Sequence, residues 1–302
     1  MPYLGMGLLA GAAVAVGLAA RSEYEKNSFV TEQFRITSSR IPSGIRRNFV
    51  FLTDLHDKQF PLENSSLIDR IRKISPDAVL IGGDMMVSKG KADLSVTVKL
   101  LENLTGDFPV FYGNGNHEER MKREREIYGS RYDSFVRELK RLGVVYLSDS
   151  GIDLDSYIRI TGCNLDEKYY RHRFTVPKLP AGELERHVGK RDSRHYQILL
   201  LHSPLFFDEC CRWGADLTLC GHFHGGTIRI PFLGGVMTPQ YQFFLPWCAG
   251  RFDRGEQTMI VGRGLGTHSV NIRLNNRPQL VWITLEGTAE PGKAESRREE
   301  EV

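Results

Sequence analysis

The chain has 302 residues, 41% of them hydrophobic and 25% charged, with a net charge of +3. That is ordinary for a soluble globular protein and long enough for one large α/β domain or two small ones. The small positive balance, with no basic run interleaved with aromatics, argues against a nucleic-acid partner.

The first segment departs from that soluble picture. Residues 3–20, "YLGMGLLAGAAVAVGLAA", carry no charge, close to the ~20 apolar residues a helix needs to cross a bilayer. No Lys or Arg precedes the run, which argues against a cleaved signal peptide. Its Gly and Ala content makes it only weakly apolar. A membrane anchor over residues 1–21 is the favoured reading, with a signal peptide and a buried or peripheral helix as alternatives. Arg21, Lys26, Arg35 and Arg40 follow the run, so the positive-inside rule leans the remainder toward the cytoplasm. The five cysteines, Cys163, Cys210, Cys211, Cys220 and Cys248, are odd in number and form no CxxC pair. They read as reduced thiols, which agrees with that side.

Residues 22–46 are polar and mixed, with "ITSSRIPSGIRR" as a tether or edge strand. Short apolar runs then recur at 48–54, 77–84, 108–117, 196–203 and 215–224, each ending in Gly, Asp, Asn or His. Continuous apolar runs of this length predict strands buried on both faces. Helical spacing appears at 64–75, with Asn64 or Ser65 as cap, at 95–104, and at 131–143, closed by Gly143. "TMIVGRGLG" (258–266), "VNIRL" (270–274) and "LVWITL" (280–285) read as strands. The charged tail 289–302 reads as disordered. The layout is one α/β domain over 47–288.

The chemistry lies at the strand ends. "TDLH" supplies Asp54 and His56, "GGD" Asp84, "GNGNHE" Asn116 and His117, "LLLHS" His202, and "CGHFHGG" His222 and His224. Sites in α/β sheets form beyond the carboxyl ends of the strands. Each motif alone has an ordinary structural explanation, a surface loop, a turn or a helix cap. Five strand ends carrying only Asp, Asn and His do not share one. A donor set without Cys suits borderline divalent ions such as Mn²⁺, Fe²⁺, Zn²⁺ or Ni²⁺ rather than Ca²⁺ or a structural zinc. Seven candidate ligands exceed one tetrahedral ion and suit two ions sharing a carboxylate. Such a pair can clamp the attacking and leaving oxygens of a displacement at phosphorus and make a shared hydroxide nucleophilic at neutral pH.

The series DLH, GGD, GNHE, H, GHFH resembles the calcineurin-like metallophosphoesterase family. The resemblance implies a four-layer αββα sandwich with the site at one end. It implies a first ion on Asp54, His56, Asp84 and His224, and a second on Asp84, Asn116, His202 and His222, with Mn²⁺ favoured. His117 is then not a ligand but a contact to phosphate that can protonate the leaving oxygen. The C-terminal half is similar to a bacterial branch of envelope phosphodiesterases and UDP-2,3-diacylglucosamine pyrophosphatase-like enzymes. The expected substrate is therefore a phosphodiester or pyrophosphate, membrane- or envelope-linked; a phosphomonoesterase, a protein phosphatase or a non-catalytic scaffold are the alternatives.

Two positions depart from the family pattern. Val87 stands where a second acid is common, and Phe223, between the GHFH histidines, is expected to pack away from the metals. The charged stretch 116–133 reads as a solvated helix face, or as a flap in which Arg120 or Lys122 meets phosphate. "PQYQFFLPWCAGRF" (239–252) reads as core packing ahead of a lipid contact. Gly264 and Gly266 open no helix, so a dinucleotide loop fails there.

Overall fold

The computed structural model describes residues 2–288, apart from 62, 91, 172–173 and 268–269; the side chains of residues 2–8 also lie outside it. The charged tail falls beyond the described residues.

Two six-stranded sheets carry the fold. The first contains β1 (Val30–Ser38), β2 (Arg46–Leu52), β3 (Ala78–Ile81), β4 (Val110–Gly113), β5 (Val145–Leu147) and β14 (Gln279–Gly287), in the order β1-β14-β2-β3-β4-β5. The second contains β6 (Ser150–Asp153), β7 (Ile158–Cys163), β8 (Tyr196–Leu201), β9 (Leu217–Cys220), β12 (Gly250–Arg254) and β13 (Gln257–Val261), in the order β12-β13-β9-β8-β7-β6. A small ribbon of β10 (Arg229–Ile230) and β11 (Gly234–Gly235) stands apart. In both sheets the central strands run parallel, while the pairs β14–β2, β12–β13 and β6–β7 are antiparallel.

The sheets face each other across one core, in which Phe49, Phe51 and Leu80 of the first meet Ile198, Leu200 and Leu219 of the second. The outer face of the first sheet is covered by α2 (Ser65–Ile74), α3 (Ser95–Thr105), α4 (Asn116–Arg123), α5 (Arg125–Tyr128) and α6 (Arg131–Arg141). The outer face of the second is covered by α7 (Glu183–Val188) and α8 (Phe207–Trp213). Helix, sheet, sheet and helix stack in four layers. Strands β3, β4, β8 and β9 are buried along their whole length, as their continuous apolar runs require.

Four expectations need correction. "VNIRL" is not a strand; apart from a single bridge between Leu274 and Ile228 it wraps around Arg273, whose side chain is buried. That guanidinium donates to the carbonyls of Asn276 (2.9 Å), Arg263 (2.9 Å) and Gly266 (2.6 Å), so the backbone oxygens here serve a buried cation instead of a ladder. Asn64 does precede α2, but its side chain accepts the Phe60 N–H (2.8 Å) instead of capping the helix. In 239–252, Gln240, Gln242 and Cys248 are buried, yet Phe243 and Phe244 are 54% and 56% exposed, so core packing does not account for those two aromatics.

The fourth concerns the amino terminus. Helix α1 (Pro2–Asn27) forms over the apolar run and exposes Leu9, Val14, Val16 and Leu18. Among the described residues no helix is long and apolar enough to cross a membrane. The structure therefore shows an exposed helix where a span was expected, and its last turns dock on the domain. Ser22 Oγ accepts the Arg273 N–H (3.0 Å) and buried Glu25 accepts the Asn276 N–H (2.8 Å). Beyond it, within the segment read as a tether or edge strand, β1 pairs in parallel with β14 at the edge of the first sheet.

Candidate metal centre

Asp54, His56, Asp84, His117, His202, His222 and His224 are all buried and converge where β2, β3, β4, β8 and β9 end. The close approach of these ends explains the glycines. A Cβ on Gly83 would lie 2.0 Å from Gly115 N, and one on Gly221 would lie 2.2 Å from Asp54 Oδ2. Any side chain there would drive the strand ends apart.

Three sets of possible ligand atoms lie within 4.8 Å of one another: Asp54, His56 and His224; Asp84, His202 and His222; and His56, Asp84 and His117. Asp84 sits between the first two sets. Its Oδ2 is 3.1 Å from His202 Nε2 and 3.8 Å from His56 Nε2, and its Oδ1 accepts the His117 N–H at 2.8 Å. On the other side His224 Nε2 is 3.4 Å from Asp54 Oδ1 and 3.1 Å from His56 Nε2. The rings divide accordingly: His56 stacks on His224 at 4.9 Å, while His202 meets His222 at 5.2 Å.

Extended backbone does not produce this convergence. Asp54, His56, Asp84, His222 and His224 all have left-handed φ, between 47° and 68°, a conformation that costs a non-glycine residue of order 1–3 kcal/mol. The surrounding hydrogen bonds hold these kinks. Asp54 accepts the His222 N–H on both carboxylate oxygens (3.1 and 3.0 Å) and the Thr53 hydroxyl at 2.9 Å.

Backbone carbonyls orient the rings. His202 Nδ1 donates to Gly82 O (2.7 Å) and His224 Nδ1 to Gly266 O (3.2 Å), turning both Nε2 atoms toward the carboxylates. Carbonyl partners of this kind fix the tautomer of metal-binding histidines. Asn276 supports the arrangement by donating from Nδ2 to His224 O at 2.7 Å.

The residues fit a pair of cations on three observations. Asn116 Oδ1 is buried and has no hydrogen-bond partner, an arrangement that costs about 1–3 kcal/mol unless something binds it. The facing Nε2 atoms of His56 and His224 are both potential acceptors, and a proton or a cation must lie between them. The carboxylates also call for positive charge. Burial pulls the His202 imidazole down, but Asp84 and Asp54 outweigh it and hold the group up at about 10. Burial likewise pushes Asp54 up to about 6 against the pull of His202, whereas on Asp84 burial is outweighed by His202, His117 and His56, which hold it well below the usual carboxylate range.

Beside the centre runs a groove of about 740 Å³, walled in part by Asn116, Arg120, Tyr170, Arg171, His222 and Tyr241. Arg120 lines it and donates to Ser88 O at 3.1 Å. Lys122 does not join it: its amine lies 3.7 Å from Glu119 Oε2 and 5.9 Å from the Tyr132 ring centroid. Phe223 is fully buried in the outer core of the second sheet, its ring centroid 5.7 Å from that of His222.

The sequence reading missed four positions. Glu118 is buried and accepts the N–H groups of Asp84 (2.9 Å), Met85 (3.1 Å) and Gly115 (2.9 Å) and the Tyr112 hydroxyl (2.6 Å); burial and the Asp84 charge push it up to about 7. Its spacing, three residues after the strand-end Gly115, is a helix-start signal that was available. Ser88 follows the departed acid position, and its N–H donates to His117 Nδ1 at 2.7 Å. A backbone N–H is an obligate donor, so Nδ1 accepts and the neutral ring carries its proton on Nε2. Gln240 Oε1 faces His222 Nε2 at 3.4 Å, and Asn276 comes from a loop some fifty residues from its histidine. Nothing in local spacing announces either.

Two layered sheets thus present, at one end, a buried Asp/His cluster able to hold divalent metal ions. Residues 47–226 match the family model described as calcineurin-like phosphoesterase, and the chain belongs to that family. It is 26% identical over 289 residues to the uncharacterized metallophosphoesterase YkuE of Bacillus subtilis, covering 93% of this chain and 94% of that protein. An uncharacterized metallophosphoesterase of Aquifex aeolicus is 25% identical over 91% of this chain and 98% of its own length. The phosphodiesterase YaeI of Escherichia coli is 27% identical over 78% of this chain and 81% of its own. The protein is a hydrolase acting on phosphoric ester bonds.

Proposed function

We propose that the protein is a two-metal phosphodiesterase or pyrophosphatase acting on a membrane- or envelope-linked phosphate. The observation that carries the reading is Asp84, whose carboxylate lies between an Asp54–His56–His224 set and a His202–His222 set. Asp54, His56, Asp84 and His224 would hold one ion, and Asp84, Asn116, His202 and His222 the other; Mn²⁺ suits this oxygen-and-imidazole set. Bound divalent ions would neutralise phosphate oxygens and lower the pKa of water.

The chain's own groups do the rest. Asp84 and Asp54 fix the spacing of the two sets. The Nε2–H of His117, held in that tautomer by Ser88, donates to a phosphate or leaving-group oxygen. Arg120, on the groove wall, pairs with a non-reacting phosphate oxygen. Likeness to YaeI, named a phosphodiesterase, supports the diester class. The exposed aliphatic side chains of α1, Leu9, Val14, Val16 and Leu18, support association with a membrane, and the basic residues after that run lean the domain toward the cytoplasmic side, which accessibility of amino- and carboxyl-terminal tags in intact cells checks.

The test is metal removal and return. Chelated protein should lose hydrolysis of bis(p-nitrophenyl) phosphate and regain it with Mn²⁺. Asp84→Ala should lower turnover by about 10³-fold or more. Near-normal turnover of that variant would sink the mechanism.

A further inference from the structure

The segment after the GHFH histidines carries an exposed apolar rim that hydrolysis does not require. The β10–β11 ribbon exposes Ile230 (40%), Phe232 (108%) and Leu233 (67%) at its turn. Phe243 and Phe244 lie against the same ribbon, through a bridge between Met237 and Phe243 and a bond from Phe244 N–H to Val236 O at 3.0 Å. On the groove side Phe174, 69% exposed, stacks on Tyr241 at 5.9 Å, and Tyr241 is part of the groove wall. The rim therefore runs from the mouth of the catalytic groove to the ribbon tip. Leaving this many aromatic and aliphatic side chains in water is unfavourable, and such contiguous exposure marks an interaction surface.

Two observations choose the occupant. The first is charge. Arg229 belongs to the ribbon and, after burial, is among the groups that lower Arg263 against the pull of Glu32, as is Arg277. Arg171 is exposed on the groove wall, where it pairs with Glu167 at 2.9 Å. The acids at this junction are engaged: Glu32 with Arg263 at 3.0 Å, and Glu25 with Arg21 and Asn276. Apolar side chains at a tip with arginines behind them are the pattern of a protein seated on an anionic bilayer surface. The second is continuity. Ribbon residue Arg229 is bonded to the 274–276 loop, where Arg229 N–H donates to Leu274 O and Asn275 Nδ2 to Arg229 O. The same loop receives Glu25 of α1, the helix with the exposed aliphatic side chains. One support thus joins both apolar elements.

We propose that this rim, Phe232, Leu233, Phe243 and Phe244 with Phe174, is a second membrane contact. It enters the interface of an anionic bilayer and presents the groove mouth to phosphates at headgroup depth. The inference rests on the reading of a membrane-linked substrate and adds to it the surface that docks.

The experiment uses the full-length, Mn²⁺-loaded protein and vesicles of phosphatidylcholine and phosphatidylglycerol with brominated acyl chains. In a Phe232→Trp variant, the emission added over the parent protein should shift to the blue and be quenched by the brominated lipid. Because α1 can bind vesicles by itself, this readout at residue 232 reports the rim specifically. A Phe232→Asp/Leu233→Asp variant should cleave soluble bis(p-nitrophenyl) phosphate at the parental rate. It should cleave a nitrophenyl phosphodiester embedded in the vesicles about tenfold or more slowly, as expected for withdrawing two large apolar side chains from the interface. Unquenched emission at residue 232, or parental rates of the double variant on the embedded substrate, would overturn the proposal and leave the rim to a protein partner. Parental activity on the soluble diester in the same samples keeps the catalytic reading standing when the rim fails; its absence in the parent protein condemns that reading alone.

Discussion

The strand ends that gather the histidines and the ribbon segment that follows them are joined at Gly225–Gly226, yet they are built on opposite terms. At the strand ends the carboxylates and imidazoles are buried, and Asp54, His56, Asp84, His222 and His224 are held in left-handed kinks that only a rigid surround tolerates. In the ribbon segment large apolar side chains face water on short, two-residue strands. Strain and desolvated charge at one place, exposed apolar surface at the other, are each unfavourable in isolation. The proposed ligands would relieve each: cations in the first case, an apolar phase in the second. The contrast teaches that unfavourable local structure is informative once its chemical type is named.

Breaking the first region should have the larger effects. His117→Ala should lower turnover about 10²–10³-fold at saturating metal, since on the proposed reading it removes the proton donor and no ligand; the kcat of Mn²⁺-loaded protein measures it. Asn276→Ala removes the bond that steadies the His224 backbone and should weaken metal affinity about 10–100-fold, read by Mn²⁺ titration of activity.

The charge argument has a pH signature in metal-free protein. His202 sits above its ordinary 6.5, at about 10, because Asp84 and Asp54 outweigh burial. A raised folded-state pKa stabilises fully below 6.5 and loses that contribution as pH rises through about 10. The Tm of chelated protein should therefore fall across that window, and the Tm of Mn²⁺-loaded protein should fall less. Binding of Mn²⁺ at neutral pH should release a proton, since His202 must give up its Nε2 hydrogen to ligate; calorimetry in buffers of different ionisation enthalpy counts it. The smallest effect belongs to the ribbon. Phe243→Ser/Phe244→Ser should lower stability by only about 1–2 kcal/mol, measured by urea unfolding, because more than half of each side chain is exposed in the folded chain.

Much of the site was legible because ligand chemistry needs particular residue types at strand ends. Asp, Asn and His after five apolar runs identify themselves without long-range information. The parts that stayed hidden act through space. Ser88 reaches His117 across 29 positions and Asn276 reaches His224 across 52, and both side chains are ordinary in their local setting. Lys122 pairs with Glu119 one turn back, as helical phase allows, whereas its approach to the Tyr132 ring is a matter of tertiary packing. Arg273 turned a strand-like pattern into a loop, since "VNIRL" alternates as a strand does and only the burial of its arginine shows otherwise.

Sequence by itself determined the buried strands, the amphipathic helices and the donor set, because hydrophobic period and ligand type are properties of neighbouring residues. Tertiary structure decided how the donors divide around Asp84, which nitrogen of each ring faces them, and which apolar residues stay in water. Those depend on groups far apart in the chain, and on backbone turns that no side-chain pattern encodes.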